Sequence, residues 1–264
     1  MKPFPIFLRA KALIIGLLLG LLLMYVLASP WWGYVLVLGI AFIIAYRGTT
    51  QIASHFYLST HCYGNATSSK QIALTFDDGI LAPEQTQQIL DILEHYCVPA
   101  TFFCIGKNIQ SSSQQTLLQQ IHQAGHLVGN HSFSHANLFD FYGSKRIIEE
   151  IQQTDRLIYN LIGLHPLFFR PPYGITTPHI AKALHQLPHQ TIGWSVRSLD
   201  TVIKNETQLL ERLKKQLHSG AIILMHDHIQ TLTTVLPLFL DYVLKEGYTV
   251  VGLDQLLQLP AYQH

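Results

Sequence analysis

The chain has 264 residues, is 48% hydrophobic and only 12% charged, and carries a net charge of +1. The charged share is about half of that usual in soluble domains, which points to a membrane-embedded portion; the near-zero net charge gives no ground for a nucleic-acid surface or an acidic interaction tail. The 3 cysteines fit neither a disulfide framework nor a zinc-finger spacing, and Cys97 and Cys104 read as two buried thiols rather than a pair.

Residues Ala12 to Tyr46 are almost wholly apolar, interrupted by Ser29-Pro30-Trp31-Trp32-Gly33. The first run, Ala12 to Ala28, is slightly short of the roughly 20 residues a crossing needs. The second, Gly33 to Tyr46, is shorter still unless the tryptophans act as interfacial anchors. Three arrangements fit: a hairpin crossing twice, one crossing plus an interfacial segment, or a cleaved leader with a basic start (Lys2, Arg9, Lys11) and a small-residue end (Val26-Leu27-Ala28). An uncleaved anchor is the expectation, because the second apolar run has no place at a mature soluble terminus. The basic start argues for a cytoplasmic N-terminus. Two crossings then leave the body cytoplasmic, in keeping with Arg47, and one leaves it outside. The expected organisation is an anchor over 1–48, a linker over 49–69, a catalytic domain over 70–258 and a tail over 259–264. The body is placed extracytoplasmic or periplasmic, with the cytoplasmic face as the alternative.

From Gln71 onward strands and helices alternate. The apolar run Gln71–Phe76 predicts a buried strand, and Pro83–Tyr96 a helix with a first-turn proline and one apolar face. Strand Ala100–Ile105 and helix Ser111–Ala124 follow, the latter stopped by Gly125. Strand Leu127–Gly129, helix Ser144–Leu161 and strand Leu167–Phe169 come next. Helix Pro178–Leu187, strand Thr191–Val196, helix Glu206–His218, strand Ala221–Met225, helix Leu232–Glu246 and strand Thr249–Val251 complete the pattern. Such alternation implies an α/β fold with a parallel sheet; about seven units favour barrel-like closure over an open sheet.

Candidate chemistry follows the predicted strands, where such folds place their sites. Asp77-Asp78-Gly79 ends the first strand. Two adjacent carboxylates repel, so burying both requires a cation, a proton or an arginine; Asp78 reads as a metal ligand and Asp77 as a base beside it. His131 and His135 are four apart, which on a helical turn puts both imidazoles on one face. Two His and one carboxylate leave an open position on zinc, the catalytic rather than the structural pattern. Arg170-Pro171-Pro172-Tyr173-Gly174 reads as a rigid loop whose guanidinium would keep Asp77 ionised. His226 at a strand end suits a general acid. With 15 histidines in the chain, the others are read as surface or packing residues, His126 and Asn130 as supports of the site.

Together these residues resemble the polysaccharide deacetylase family (carbohydrate esterase family 4, with its NodB-type domain). The resemblance runs from about Gln71 to Leu257 and rests on five ordered motifs: Thr75-Phe76-Asp77-Asp78-Gly79, His131-Ser132-Phe133-Ser134-His135, Arg170-Pro171-Pro172-Tyr173-Gly174, Trp194 to Thr201, and Leu224-Met225-His226. It implies a distorted (β/α) barrel of about seven strands and a metal-dependent hydrolase that removes N-acetyl groups from a glycan, acting on a non-peptide carbon–nitrogen bond. It further implies that Asp78, His131 and His135 hold a divalent metal (zinc, or cobalt), and that Asp77 is the base, oriented by Arg170. The Tyr173 N–H would serve the oxyanion, His226, tuned by Asp200, would be the acid, and Leu224 would line the acetyl pocket. Implied partners are an N-acetylated carbohydrate and, through the N-terminus, a membrane, with no nucleic acid. The fourth motif departs from pattern: Arg197 stands where the family commonly has an acid, and Thr201 where it has a tryptophan. O-acetyl ester hydrolysis, another C–N hydrolysis, or a silent membrane-anchored glycan-binding scaffold are the alternatives.

Overall fold

The computed structural model describes residues 8–28, 30–64 and 70–263. Lys2 of the basic start, Ser29 of the apolar break, residues 65–69 of the expected linker and His264 of the tail lie outside the described residues.

Two helices open the chain, α1 (Leu8–Val26) and α2 (Trp31–Thr50). Both are long and apolar enough to cross a membrane, and almost none of either is buried by the protein. A core helix of a soluble protein would be covered, and these two are not, as in an anchor or a leader. They form a hairpin. The Arg9 guanidinium at the start of α1 donates to the Ser54 carbonyl just past the end of α2, and a Cβ at Gly20 would touch Val37 at 3.6 Å. Both helix ends therefore lie on the side of the remaining chain, while Trp31 and Trp32, both exposed, mark the far turn.

The sheet is built on β1 (Gln71–Gly79), which is buried along most of its length. A strand covered on both faces needs an unbroken apolar run rather than an alternation, and Ile72 to Phe76 is almost that. After α3 (Pro83–His95) come β2 (Thr101–Cys104), α4 (Ser112–Gln123, with a capping box at Ser111), β3 (Leu127–Asn130) and α5 (Ser144–Ile162). Then follow β4 (His165–Pro166), β5 (Phe168–Phe169), α6 (Pro178–Leu184), β6 (Gln190–Thr191), β7 (Val196–Arg197), α7 (Glu206–Gln216), β8 (Ile222–His226) and α8 (Gln230–Lys245). Strand β9 (Thr249–Val250), α9 (Leu253–Leu257) and β10 (Tyr262–Gln263) close the chain.

The spatial order is β6-β5-β3-β2-β1-β8-β7, with β9 on the start of β1; every one of these ladders is parallel. Seven strands in a curled path, wrapped by helices, make the distorted (β/α) barrel that the family resemblance implied. The path is open between β6 and β7. The gap is crossed by residues just after the hairpin: His61 bridges to Ile192 and Tyr63 to Ala221. Ile52, Phe56, Thr60 and Cys62 are buried there, so residues 51–64 form part of the barrel wall. At the other end β10 pairs antiparallel with β4 and the Tyr262 hydroxyl accepts the Val128 N–H at 2.8 Å, which pins the tail.

Two expectations change. The strand over Thr191–Val196 is split into β6 and β7, because the intervening carbonyls serve a guanidinium instead of a ladder: Arg170 Nε donates to Ile192 O at 3.3 Å and Nη2 to Gly193 O at 2.9 Å. Of the cysteines, Cys104 is buried as expected, but Cys97 is exposed in the turn after α3.

Candidate active site at the C-terminal rim

Every sequence-predicted catalytic, ligand and pocket residue reaches one rim, the C-terminal ends of β1, β3, β5, β7 and β8; of the two expected supports, Asn130 does and His126 does not. Side chains from separate strands meet there because all the strands run the same way.

Arg170 is the organising cation. It is wholly buried at the end of β5, lies 4.2 Å over the Phe103 ring, and uses its planar fork on fixed oxygens. Nη1 donates to Asp77 Oδ1 at 2.7 Å and to Thr75 Oγ1 at 2.8 Å. Burial alone would raise the Asp77 carboxyl; the Arg170 charge, then those of His131 and His226, and the Arg170 hydrogen bond hold it below its ordinary value. Asp77 is thus a buried, ionised carboxylate. Its second oxygen lies 3.7 Å from His131 Nε2.

Asp78, His131 and His135 converge beside it. One ligand atom from each lies within 4.8 Å of the others. Asp78 Oδ1 is 3.9 Å from His131 Nε2 and 3.7 Å from His135 Nε2. His131 Nδ1 is engaged by the Arg170 carbonyl at 2.6 Å, which leaves Nε2 as the nitrogen facing the cluster. Holding one ring nitrogen by a carbonyl is how metal-ligating imidazoles are oriented. Burial first, and then the charge of His131, lower the His135 pKa to about 4, so its ring is neutral and able to coordinate. The donor set of one carboxylate and two imidazoles fits zinc or a similar divalent ion with an open position.

The two histidines are not on a helix, contrary to the spacing argument. Residues 131–135 form a loop in which Ser132 (φ 66) and His135 (φ 45) are left-handed. Two groups impose that shape. Asn130 Oδ1 accepts the Ser132 N–H at 2.8 Å. Glu150, on α5, accepts the Phe133 and Ser134 N–H groups at 3.1 and 2.7 Å and the Ser134 hydroxyl at 2.8 Å. Asp78 (φ 63), Tyr173 (φ 60) and Leu199 (φ 63) are left-handed as well. Such backbone is costly for non-glycine residues and concentrates where side chains must be aimed.

Across the rim, Asp200 Oδ1 accepts from His226 Nδ1 at 2.9 Å, and Oδ2 accepts the His226 N–H at 2.7 Å. Burial would lower the imidazole's pKa; the hydrogen bond and charge of Asp200, followed by the charges of Asp77 and Asp78, bring it above its ordinary value. Leu224 is buried one turn of pleat back from His226. The Tyr173 ring meets the His135 ring at 4.7 Å, and Gly174 behind it is required: its φ is +67 and a Cβ would lie 2.3 Å from Trp194. Arg197 and Thr201, where the fourth motif departs from pattern, are both exposed, so neither side chain replaces a buried wall.

Asn130 supports the site as expected, but His126 does not. It sits at the opposite end of β3, where its Nδ1 accepts the Ala100 N–H at 3.2 Å. Three residues were missed. Glu150 lacks a local signal because it lies on a helix distant in sequence. His228 Nδ1 approaches Asp78 Oδ2 at 4.0 Å; its nearness to His226 in the sequence was the available clue. Asp227 is fully buried, with Oδ2 accepting the Thr86 hydroxyl at 2.7 Å; burial pushes its pKa up to about 7.

A family model described as polysaccharide deacetylase matches residues 64–192. The peptidoglycan-N-acetylmuramic acid deacetylase PdaA of Bacillus subtilis (strain 168) is 32% identical over 206 residues, which cover 76% of this chain and 74% of that protein. The crystal structure of the Bc1960 peptidoglycan N-acetylglucosamine deacetylase superposes with a TM-score of 0.71 at 28% identity, covering 76% of this chain and 94% of that one. BA3943, a carbohydrate esterase family 4 pseudoenzyme from Bacillus anthracis, superposes at 0.67 with 29% identity, over 74% of this chain and 67% of its own. Several curated relatives are longer, and the chain spans 39–40% of their length.

Proposed function

Since this chain belongs to the polysaccharide deacetylase family, we propose that it is a membrane-anchored, metal-dependent hydrolase that removes N-acetyl groups from a glycan. The observation that carries the reading is the buried Arg170–Asp77 pair at 2.7 Å set against the Asp78/His131/His135 cluster, with the His226–Asp200 pair on the same rim. A silent barrel has no use for a buried ionised base beside three converging ligands. A zinc or similar ion held by Asp78, His131 and His135 would supply Lewis acidity and lower the pKa of water.

The chain's own residues do the rest. Asp77 accepts the proton of the attacking water, and Arg170 keeps it ionised and fixed. The acetyl carbon gains the hydroxyl, and the Tyr173 N–H steadies the developing oxyanion. His226, engaged through Nδ1 by Asp200, gives a proton from its other nitrogen to the leaving amine. The C–N bond breaks, so one water yields acetate and a free amine. Leu224 supplies an apolar wall for the methyl group.

The hairpin bears on sidedness. The extracytoplasmic body expected from the sequence requires one crossing or an inverted hairpin. With both helix ends at the barrel, Arg9, Lys11 and Arg47 share its side, which favours the cytoplasmic face.

The test is acetate release from N-acetylglucosamine oligomers by the full chain, with and without chelator, together with Asp77→Asn and bound-metal analysis. Chelator-sensitive release, lost in Asp77→Asn while metal is retained, is the expected result. Undiminished turnover in Asp77→Asn would refute the base assignment. Bound metal without release would point to an O-acetyl ester or another C–N substrate. The silent glycan-binding alternative predicts neither release nor metal.

A further inference from the structure

We propose that the mouth of the barrel faces the bilayer, and that the substrate is an N-acetylated amino sugar carried on a lipid. The proposal rests on the deacetylase reading and adds where and on what that site acts.

The first observation is how α2 ends. Its apolar run stops at Tyr46, yet the helix continues to Thr50 and docks on the site loop itself. Thr176 N donates to Thr49 O at 3.0 Å, and the Thr176 hydroxyl to Gly48 O at 3.4 Å. The Ser54 hydroxyl donates to the same Gly48 carbonyl at 2.9 Å. A Cβ at Gly48 would lie 2.4 Å from the Phe56 ring, so the contact is close-packed and holds the anchor to the barrel without a slack tether. Thr176 is three residues from Tyr173, at most about 10 Å of extended chain. The Tyr173 ring touches the His135 ring. The ligand cluster therefore lies on the order of 20 Å from the end of α2, itself about one helical turn past the apolar run. One or two sugars on a headgroup reach that height. A polymer strand remote from the membrane does not.

The second observation is the rim. Outside the hairpin, five of the nine large exposed apolar side chains among the described residues lie at the C-terminal strand ends: Leu81 after β1, Leu138 and Phe141 after β3, Tyr173 after β5 and Val202 after β7; Tyr63, Tyr159, Leu238 and Leu244 are scattered elsewhere. Phe141 is 78% and Val202 69% exposed. Leu138 and Phe141 flank Phe139, whose core cluster is packed by Leu58 from the segment leaving α2. The Tyr173 hydroxyl reaches Asn137 Oδ1 at 3.3 Å. The apolar rim is thus continuous with the exit of the membrane hairpin. An apolar patch there has one covering medium at hand, the bilayer interface.

The experiment uses the full chain in lipid vesicles. Acetate release is measured from polyprenyl-diphosphate-linked N-acetylglucosamine in the same vesicles and from a soluble N-acetylglucosamine oligomer. The double variant Leu138→Ser/Phe141→Ser is expected to lose roughly tenfold on the lipid-linked sugar and to keep its rate on the oligomer. Confinement to one surface would by itself favour the lipid-linked substrate, but it would not depend on the rim. Equal loss on both substrates would make the rim a glycan-binding wall and overturn the proposal; so would no loss on either. Release from neither substrate by the wild type would sink the deacetylase reading. In that case the placement of the mouth is read separately. A fluorophore attached through Phe141→Cys, in a Cys97→Ser background, is expected to be quenched by headgroup-region nitroxide lipids. One attached through Gln123→Cys, at the far end of the barrel, is not. Equal quenching of the two would overturn the placement.

Discussion

Replacing Asp200 by asparagine reads the acid assignment through a pH profile. Asp200 is fully buried. Its Oδ1 accepts from His226 Nδ1 at 2.9 Å and from Thr201 N at 3.0 Å, and its Oδ2 from His226 N at 2.7 Å. Burial pulls the His226 pKa down, and Asp200 is the principal group raising it. A hydrogen bond to a charged group is worth roughly 1.5–3 kcal/mol. At 1.36 kcal/mol per pH unit, removing the charge should drop the His226 pKa by about one to two units. In the proposed mechanism the imidazolium is the proton donor, which makes activity present below that pKa and lost as pH rises through it. The alkaline limb of kcat/KM in Asp200→Asn should therefore move to lower pH by about one to two units, and the rate beyond it should fall roughly 10- to 100-fold. On the acid side the two enzymes should converge. A cation held nearby would lower both pKa values together, so the displacement is the readout rather than its absolute position. The amide's NH2 cannot accept one of the three donors, which costs about 1–3 kcal/mol, so folded protein is first verified by thermal melting. Coincident alkaline limbs would refute His226 as the acid tuned by Asp200.

Glu150→Gln should weaken divalent-metal affinity by about 10- to 100-fold, because the charge gathering the Phe133 and Ser134 donors sets the His131–His135 loop; chelator competition measures this, and an unchanged affinity would mean the loop keeps its shape without the charge. Asp227→Asn should stabilise the protein at alkaline pH and lose that advantage toward pH 4. With a folded pKa raised to about 7, the native state holds a proton that the unfolded chain gives up near 4, so wild-type stability declines as pH rises across that window, by up to roughly 4 kcal/mol. Melting temperatures that track each other at all pH values would show that Asp227 titrates normally. A phosphatase or fluorescent-protein fusion at the C-terminus reads sidedness: a two-span hairpin with Arg9, Lys11 and Arg47 on the barrel side predicts fluorescence without phosphatase activity, and the opposite pattern would mean that the charge rule does not orient this chain.

What was legible in the sequence was whatever is written locally. The apolar run before Asp77 gives a doubly covered strand, and Pro83 and Gly125 bracket helices. Charged or ring-bearing residues just past strand ends land on one rim because parallel strands share a direction. Two kinds of feature were hidden. The first is backbone bent by a distant partner. His131 and His135 have helical spacing, yet Glu150, fifteen residues beyond His135, draws the loop's N–H groups to one carboxylate and sends both rings toward Asp78 by another route. Likewise Gly193 leaves its expected strand because Arg170 takes its carbonyl oxygen, so one buried guanidinium both orders Asp77 and splits a strand. The second is segments whose composition is neutral. Residues 49–69 read as a linker because the stretch is polar and contains Ser, Thr and Asn, but the barrel is open between β6 and β7 and only His61 and Tyr63 cross that gap among the described residues. Closing the wall with the chain that leaves the apolar hairpin is what ties the two N-terminal helices to the barrel. It follows that trimming the anchor at the expected boundary of residue 48 removes the Gly48 carbonyl that accepts the Thr176 and Ser54 hydroxyls and leaves Thr49, the partner of Thr176 N, at a free chain end, so the full chain is the form in which to measure this protein.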